Sequence, residues 1–410
     1  MPDSDEDDAP LKVLAVANFD SFLRAAGLVA NLFSEAGAQV ETALIRTRQD
    51  QISAAQVVRS GLPTPMRSYD LEQLCRPEVL GAYDIVLMAL DGSAFRRFFL
   101  RLDAGGVPRP LTVAIYPGVV LRYHYDGLAA RSPADFLWLN SEHDLSRYRE
   151  MCDAFSVGSG NARAFGLPSL LSGIERIDGP EKMILFGEQV VIPRTPAERE
   201  YLAQQLVALA HRHANYRVVV KPRHRVGEFS LHRGTAHIEA LLRTAARQAG
   251  GWPANLEVSH DPIEELLASA SVCLTISSTV ALQAIHAGVP TALVSDFGAH
   301  EDHGLPFFFG SGLFTPFADF DPASPPLVDA NWRSGHLLDP APQARYHVDE
   351  VLAAARGERP APRSLSPLVF GRELENNLLG RFGIDRLGTR SFSVGKRWIS
   401  GPLSRLRRRR

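Results

Sequence analysis

Two loops in the second half of the sequence hold side chains suited to an anionic phosphate oxygen. In SVCLTISSTVALQAIHAGVPTALVS an apolar run ends in Ser277 and Ser278, a helical pattern opens at Thr279, and an AGVP turn leads into another apolar run. The first amides of a helix lack intrahelical partners and carry partial positive charge, so hydroxyls placed there can cradle an anion. Plain N-capping is the alternative, although three consecutive hydroxyls exceed what a cap uses. In residues 218–234, VVVKPRHRVGEFSLHRG, Lys221, Arg223, His224, Arg225, His232 and Arg233 crowd a loop directly after an apolar run. Pro222 keeps Lys221 extended, so the basic cluster begins at the strand's end. A solvated basic loop is the alternative here. If both loops share one edge of one sheet, fixed cations meet the hydroxyls, which fits a diphosphate or phosphodiester. Glu188 and Gln189 follow a neighbouring apolar run and are expected in the same crevice, with Glu228 and His232 as further acid/base candidates.

In the first half, Asp20 (NFDSF) and Asp91 (LDGSAF) each follow an apolar run. A carboxylate at a strand end can take a proton from a reacting hydroxyl, and helix capping is the alternative for each. His300, Glu301, Asp302 and His303 fill four consecutive positions, which match neither HExxH nor a zinc-ligand spacing, so no metal site is expected. Neither GxGxxG nor GxxxxGK[ST] occurs, which argues against dehydrogenases and P-loop NTPases.

The elements that must position these residues read as α/β. Residues 11–45 give an apolar run, a loop, a helical pattern and a second apolar run, one β-α-β unit. Strand-like runs recur at 83–90, 111–116 and 135–140 between helix-length segments, which implies a parallel sheet covered by helices. Residues 166–182 carry three Gly and two Pro without a sustained period, and the same alternation restarts at KMILFG. The expected layout is an acidic disordered tail at 1–10, a Rossmann-like domain at 11–170, a second at 180–357, and a Pro-rich linker, short helix and basic tail at 358–410. Two doubly wound domains that offer strand C-terminal loops to a shared cleft suit a ligand bound between them.

With these motifs in place, the second half resembles the nucleotide-sugar domain of GT-B glycosyltransferases. KPRH after one strand, with SST before an AGVP turn, is similar to bacterial sialyltransferases, polysialyltransferases and capsule transferases, and the chain also resembles a bacterial family described as glycosyltransferases. The resemblance implies a CMP-sugar donor first and a UDP-sugar second, a phosphate held by the KPHP-like and Ser-Ser/Thr motifs, an acidic base in the first domain, and no cofactor beyond the sugar nucleotide. Lys221-Pro222-Arg223-His224 departs from KPHP, and Leu90-Asp91-Gly92 keeps one acid of the usual two. The expected acceptor is a glycan or lipid-linked glycan. A nucleotide-sugar epimerase on the same fold and a non-catalytic membrane-associated binding protein are the rival readings.

Composition bounds the rest. The 410 residues are 45% apolar and 22% charged, an ordinary globular mix, and 44 Lys+Arg against 46 Asp+Glu give no pull toward nucleic acid. Charge collects at the ends: DSDEDD at 3–8, and KRWISGPLSRLRRRR at 396–410, where Trp398, Ile399, Leu403 and Leu406 interleave with bases and suit an anionic membrane surface. Three separated cysteines and no secretory leader point to a cytoplasmic protein, peripheral to the inner face of the plasma membrane. Residues 266–295 lack Asp, Glu, Lys and Arg, but their Ser, Thr, Gln and His and the Gly-Val-Pro turn argue for short buried elements over a membrane span.

Overall fold

The computed structural model describes residues 9–46, 57, 66–104, 109–119, 121, 123–177, 179, 182–190, 192–223, 236–357, 360, 368 and 369. The charged runs at 3–8 and 396–410, and His224, Arg225, Glu228, His232 and Arg233, lie outside the described residues.

The first sheet contains β1 (Lys12–Ala17), β2 (Gln39–Ile45), β3 (Arg67–Tyr69), β4 (Ile85–Ala89), β5 (Leu111–Ile115), β6 (Phe136–Leu139) and β7 (Ala162–Ala164). They are parallel and run in the order β3-β2-β1-β4-β5-β6-β7. The sequences IVLMA, LTVAI and FLWL are apolar but for Thr112, without alternation, and buried at every position, as strands between two helical layers must be. The connecting helices used below are α1 (Asp20–Glu35), α2 (Leu71–Leu74), α3 (Pro77–Leu80), α4 (Gly92–Ala104), α5 (His124–Arg131) and α6 (Glu142–Ala154). Leu23, Ala26, Val29, Ala30 and Phe33 place one buried stripe of α1 on the sheet.

The second sheet repeats the pattern with β8 (Met183–Gly187), β9 (Arg217–Lys221), β10 (Leu256–Val258), β11 (Val272–Thr275), β12 (Thr291–Val294) and β13 (Phe314–Thr315). Its order is β10-β9-β8-β11-β12-β13, again parallel. Its helices are α7 (Pro196–Arg212), α8 (Ile238–Gln248), α9 (Ile263–Ser269) and α10 (Val280–His286), followed by α11 (Ala330–His336) and α12 (Ala344–Arg356). Thr195 and Glu198 close a capping box around Pro196, which fixes where α7 starts. The uncharged stretch 266–295 folds as the end of α9, then β11, α10 and β12. Among the described residues no helix is long and apolar enough to cross a membrane.

In both sheets the strand order reverses once, between β1 and β4 and between β8 and β11. Crevices open at such points, beyond the C-terminal strand ends. The two sheets are joined by more than the connecting chain. Leu167 and Leu170 share a buried cluster with Ala281, Leu282 and Ile285 of α10 and Trp332 of α11. Arg24 on α1 meets Glu264 on α9 at 2.7 Å. Residues 344–356, read from the sequence as the end of the second domain, pack on the first sheet instead. Ala344, Val348, Val351 and Leu352 are buried with Trp138 and Phe165, whose rings stack at 4.5 Å, and Glu350 bonds Arg163 at 2.5 Å.

Two local features hold this arrangement. Gly166 adopts φ +110°, and a Cβ there would stand 2.7 Å from the Leu338 carbonyl oxygen and the Pro340 nitrogen, so only glycine lets the returning chain cross. At the edge of the second sheet, Glu188 and Arg199 form an ion pair at 3.0 Å with each side chain 3% exposed. The second Glu188 oxygen accepts from the Arg223 amide at 3.1 Å, while Arg199 donates to the carbonyls of Val190 at 2.8 Å and Ala236 at 3.3 Å. The pair therefore ties together the exits of β8 and β9 and the approach to α8.

Removing one partner strands a buried charge, so Arg199→Met should cost about 3–5 kcal/mol, while Arg199→Met with Glu188→Gln should recover at least half of that in denaturant unfolding. Gly166→Ala should cost about 2 kcal/mol or more through combined strain and overlap, measured the same way.

Candidate functional site

The crevice residues of the second sheet come from the connections after β8, β9 and β11. Gly187 ends β8 without a side chain, and a Cβ there would lie 3.3 Å from Val280, so α10 begins hard against the strand. Ser277 is fully buried: its amide donates to Gln189 Oε1 at 3.0 Å, its hydroxyl donates to the His303 carbonyl at 2.5 Å, and Gln189 Nε2 donates to that hydroxyl at 3.2 Å. Ser277 and Gln189 thus bridge the β8–β11 crevice and hold the loop at His303. Ser278 and Thr279 are partly exposed at the start of α10, and the Ser278 hydroxyl accepts from the Val280 amide at 3.3 Å.

Lys221 and Arg223 leave β9 along the same edge. Lys221 Nζ reaches the Pro222 carbonyl at 3.3 Å, and the exposed Arg223 is anchored through its amide to Glu188. Glu188 was expected among the ligand-facing groups; the structure places its carboxylate in the buried ion pair with Arg199, where it braces the loops. The His300–His303 stretch is likewise built into the fold: Asp302 pairs with Arg194, and buried His303 lies 3.8 Å from Glu198, its pKa lowered chiefly by desolvation.

Across the cleft, Asp91 follows β4 at the first sheet's reversal point. Its Oδ1 accepts the amides of Ser93 at 2.8 Å and Ala94 at 3.1 Å, capping α4, and its Oδ2 accepts from buried Asn18, at the exit of β1, at 2.5 Å. The helix-capping alternative is therefore present in this structure, and the Asn18–Asp91 bond spans the β1–β4 crevice as Gln189–Ser277 spans the other. Asp20 lies in the first turn of α1, at the end of the same strand. Behind Asp91, Arg131 is buried between the rings of Tyr116 at 4.0 Å and Phe95 at 4.6 Å, and Nη2 donates to the Leu90 carbonyl at 2.7 Å. Burial lowers the Arg131 pKa and pushes the Tyr116 hydroxyl up to about 12, so the phenol stays protonated near neutrality.

The two edges meet. A Cβ on Gly118, after β5, would stand 3.4 Å from Thr279 Oγ1, and one on Gly304 would overlap Leu121 at 2.6 Å. Asn140, at the end of β6, donates to the Gly118 carbonyl at 2.9 Å and fixes that loop. His143 on α6 stacks on His336 of α11 at 4.3 Å. The loops after β5 and β6 therefore face those after β11 and β12.

Several residues of this edge carry no sequence motif. Arg199, Arg131 and Asp144 lie among other polar residues of helical patterns, and only the packing reveals their burial. For Arg199 a faint signal existed, since it sits on the stripe shared with buried Leu202, Ala203 and Leu206.

Solved structures share this fold at low identity. S. aureus MnaA with UDP matches with a TM-score of 0.54 at 11% identity, covering 91% of this chain and 97% of that one. The UDP-GlcNAc 2-epimerase of Neisseria meningitidis bound to UDP-GlcNAc matches at 0.51 and 11%, covering 83% and 99%. A UDP-glucosyltransferase from Polygonum tinctorium matches at 0.50 and 11%, covering 88% and 97%. The architecture is thus the GT-B fold of such epimerases and glycosyltransferases. No curated protein sequence matches the chain. A family model described as "Putative glycosyltransferase (DUF6716)" matches residues 13–354, and by that match over most of its length the chain belongs to this family.

Proposed function

We propose that the protein transfers a sugar from a nucleotide-activated donor to a glycan hydroxyl by metal-independent inverting displacement. The observation that carries this reading is the meeting of the two reversal-point edges, with Thr279 against Gly118, so that groups from both sheets flank one cleft. The donor lies on the second sheet. Its phosphate is taken by Ser278, Thr279, Lys221 and Arg223, with His224 and Glu228, outside the described residues, following in the sequence, while Ser277, Gln189 and Glu188 hold that edge rigid. Fixed donors in a cleft closed to water stabilise the charge that builds on the departing phosphate.

In the transfer step the acceptor oxygen bonds to the anomeric carbon from the face opposite the nucleotide. The bond from that carbon to the phosphate oxygen breaks, its electron pair remains on the nucleotide, and the hydroxyl proton passes to a base at the first sheet's edge. Asp91, after β4, and Asp20, in the first turn of α1, are the candidates for that base. In this structure both Asp91 oxygens are bonded, which suits it to fixing the edge. CMP-sugars follow from the KPRH and SST motifs, whereas the solved relatives named for UDP and UDP-sugars favour uridine. A glycan carried on lipid at an anionic membrane fits the basic run 396–410.

Thermal unfolding with CMP, CDP, UDP, GDP and ADP, and with their sugar conjugates, tests the donor site. One of them at a hundred times its dissociation constant should add about 2.7 kcal/mol of stability, and Ser278→Ala with Thr279→Ala should abolish most of that gain. Absence of any shift in the folded parent would remove the reading. With the bound sugar nucleotide identified, product analysis should show a new glycoside only when acceptor is present; an epimerised sugar nucleotide formed from donor alone would assign an epimerase instead.

A further inference from the structure

A column of stacked rings crosses from the second half of the chain into the first. Phe308 lies 5.7 Å from Trp332, Trp332 4.9 Å from His336, and His336 4.3 Å from His143, with interplanar angles of 27°, 8° and 28°. Phe307 flanks the column, edge-on to Trp332 at 6.0 Å and to His336 at 5.4 Å. The column starts in a buried cluster, where Phe308 and Trp332 pack with Leu167 and Leu282. It ends in two half-buried imidazoles, His336 in the last turn of α11 and His143 in the first turn of α6, beyond the end of β6. The two titratable rings of the column are thus the ones that meet where the halves join.

The groups around the pair make it intolerant of a second proton. His336 Nδ1 lies 2.9 Å from the Trp332 carbonyl, which can only accept, so Nδ1 carries the hydrogen and a further proton adds at Nε2. One imidazolium can rest on the Trp332 face as a cation on an aromatic ring. A second, on His143, meets a like charge in the stacked ring and another in Arg147, one turn along α6. Burial, His336 and Arg147 each lower the His143 pKa, while burial and Arg147 lower that of His336 against the pull of the Trp332 carbonyl. The nearby acids face other histidines: Asp144 lies 3.5 Å from His124, and Asp339 4.0 Å from His286. Glu142 and Arg333, on the same two helices, are exposed.

We propose that the His143–His336 stack is an acid-released catch between the two halves: it holds the cleft closed while the pair carries at most one proton, and lets it open when both rings are charged. The catch acts on the cleft whatever reaction the cleft serves. Because the stacked rings bind the second proton less well than the parted rings do, the catch is whole above about pH 6.5, the ordinary histidine value, and is lost as pH falls below it. The apolar cluster around Leu167 carries no charge to titrate and serves as the pivot.

Small-angle scattering of the full chain without ligand reads the separation of the halves. From about pH 7.5 to about pH 5.5 the radius of gyration should rise reversibly, the open-to-closed ratio growing by up to about tenfold per pH unit for each proton taken up, with an unchanged far-UV circular dichroism spectrum. Desolvation also lowers the pKa of buried His303 and His347, so a variant must isolate the pair. His143→Phe with His336→Phe keeps two stacked rings and takes up no proton, and its radius should stay at the parent's closed value throughout. The proposal is overturned if the parent does not expand, if it expands only as secondary structure is lost, or if the double variant expands as the parent does. Should the double variant not fold, His143→Phe alone decides: it should cut the expansion at least in half, and an unchanged expansion overturns the proposal.

Discussion

A carboxylate and a guanidinium shut away from water at the edge of the second sheet set the terms for the loops around them. Either charge enclosed there without the other would carry a desolvation cost of roughly several kcal/mol. Together they satisfy each other and recruit backbone groups: the amide of Arg223 on one side, the carbonyls of Val190 and Ala236 on the other. The loop after β8, the exit of β9 and the approach to α8 are thereby fixed against one another. The positions of Lys221 and Arg223 follow from this pair, since Arg223 is anchored by its own backbone to Glu188.

The same economy appears at both reversal points. Side-chain hydrogen bonds cross each crevice, from Asn18 to Asp91 in the first sheet and between Gln189 and Ser277 in the second. Such bonds hold the mouths open at a defined width and leave neighbouring residues to meet a ligand. Glycines supply the close approaches. Gly187 admits the start of α10, and Gly118 and Gly304 let the first sheet's loops lie directly on the second sheet's edge. Buried Arg131, stacked between two rings and bonded to the Leu90 carbonyl, steadies the strand end on which Asp91 sits.

The two parallel sheets were legible because their central strands are unbroken apolar runs and their helices begin at recognisable caps, as at Thr195. The strands β3, β7 and β13 were not, because two or three residues at a sheet's edge carry no pattern of their own. Sequence located Ser277, Ser278, Thr279, Gln189 and Glu188 at one edge, but it could not divide them by task. Whether a polar side chain faces a ligand or a neighbouring loop is decided by tertiary packing, and here Ser277 and Glu188 are enclosed while Ser278 and Thr279 reach the surface. Asp91 shows the same limit: a strand-end carboxylate before a helix reads equally as a base or a cap, and the amides of Ser93 and Ala94 occupy it. His124 and Asp144, 20 residues apart, become neighbours only because β5 and β6 are adjacent.

The return of α12 to the first sheet ties the order of synthesis to the order of folding. Trp138 and Phe165 are covered by Val348, Val351 and Leu352, which emerge only after the whole second sheet has been made. During translation the first half therefore carries an open apolar face while its neighbour is built, and the last helix then covers that face. A chain halted before residue 344 would leave that apolar flank uncovered, open to non-native association.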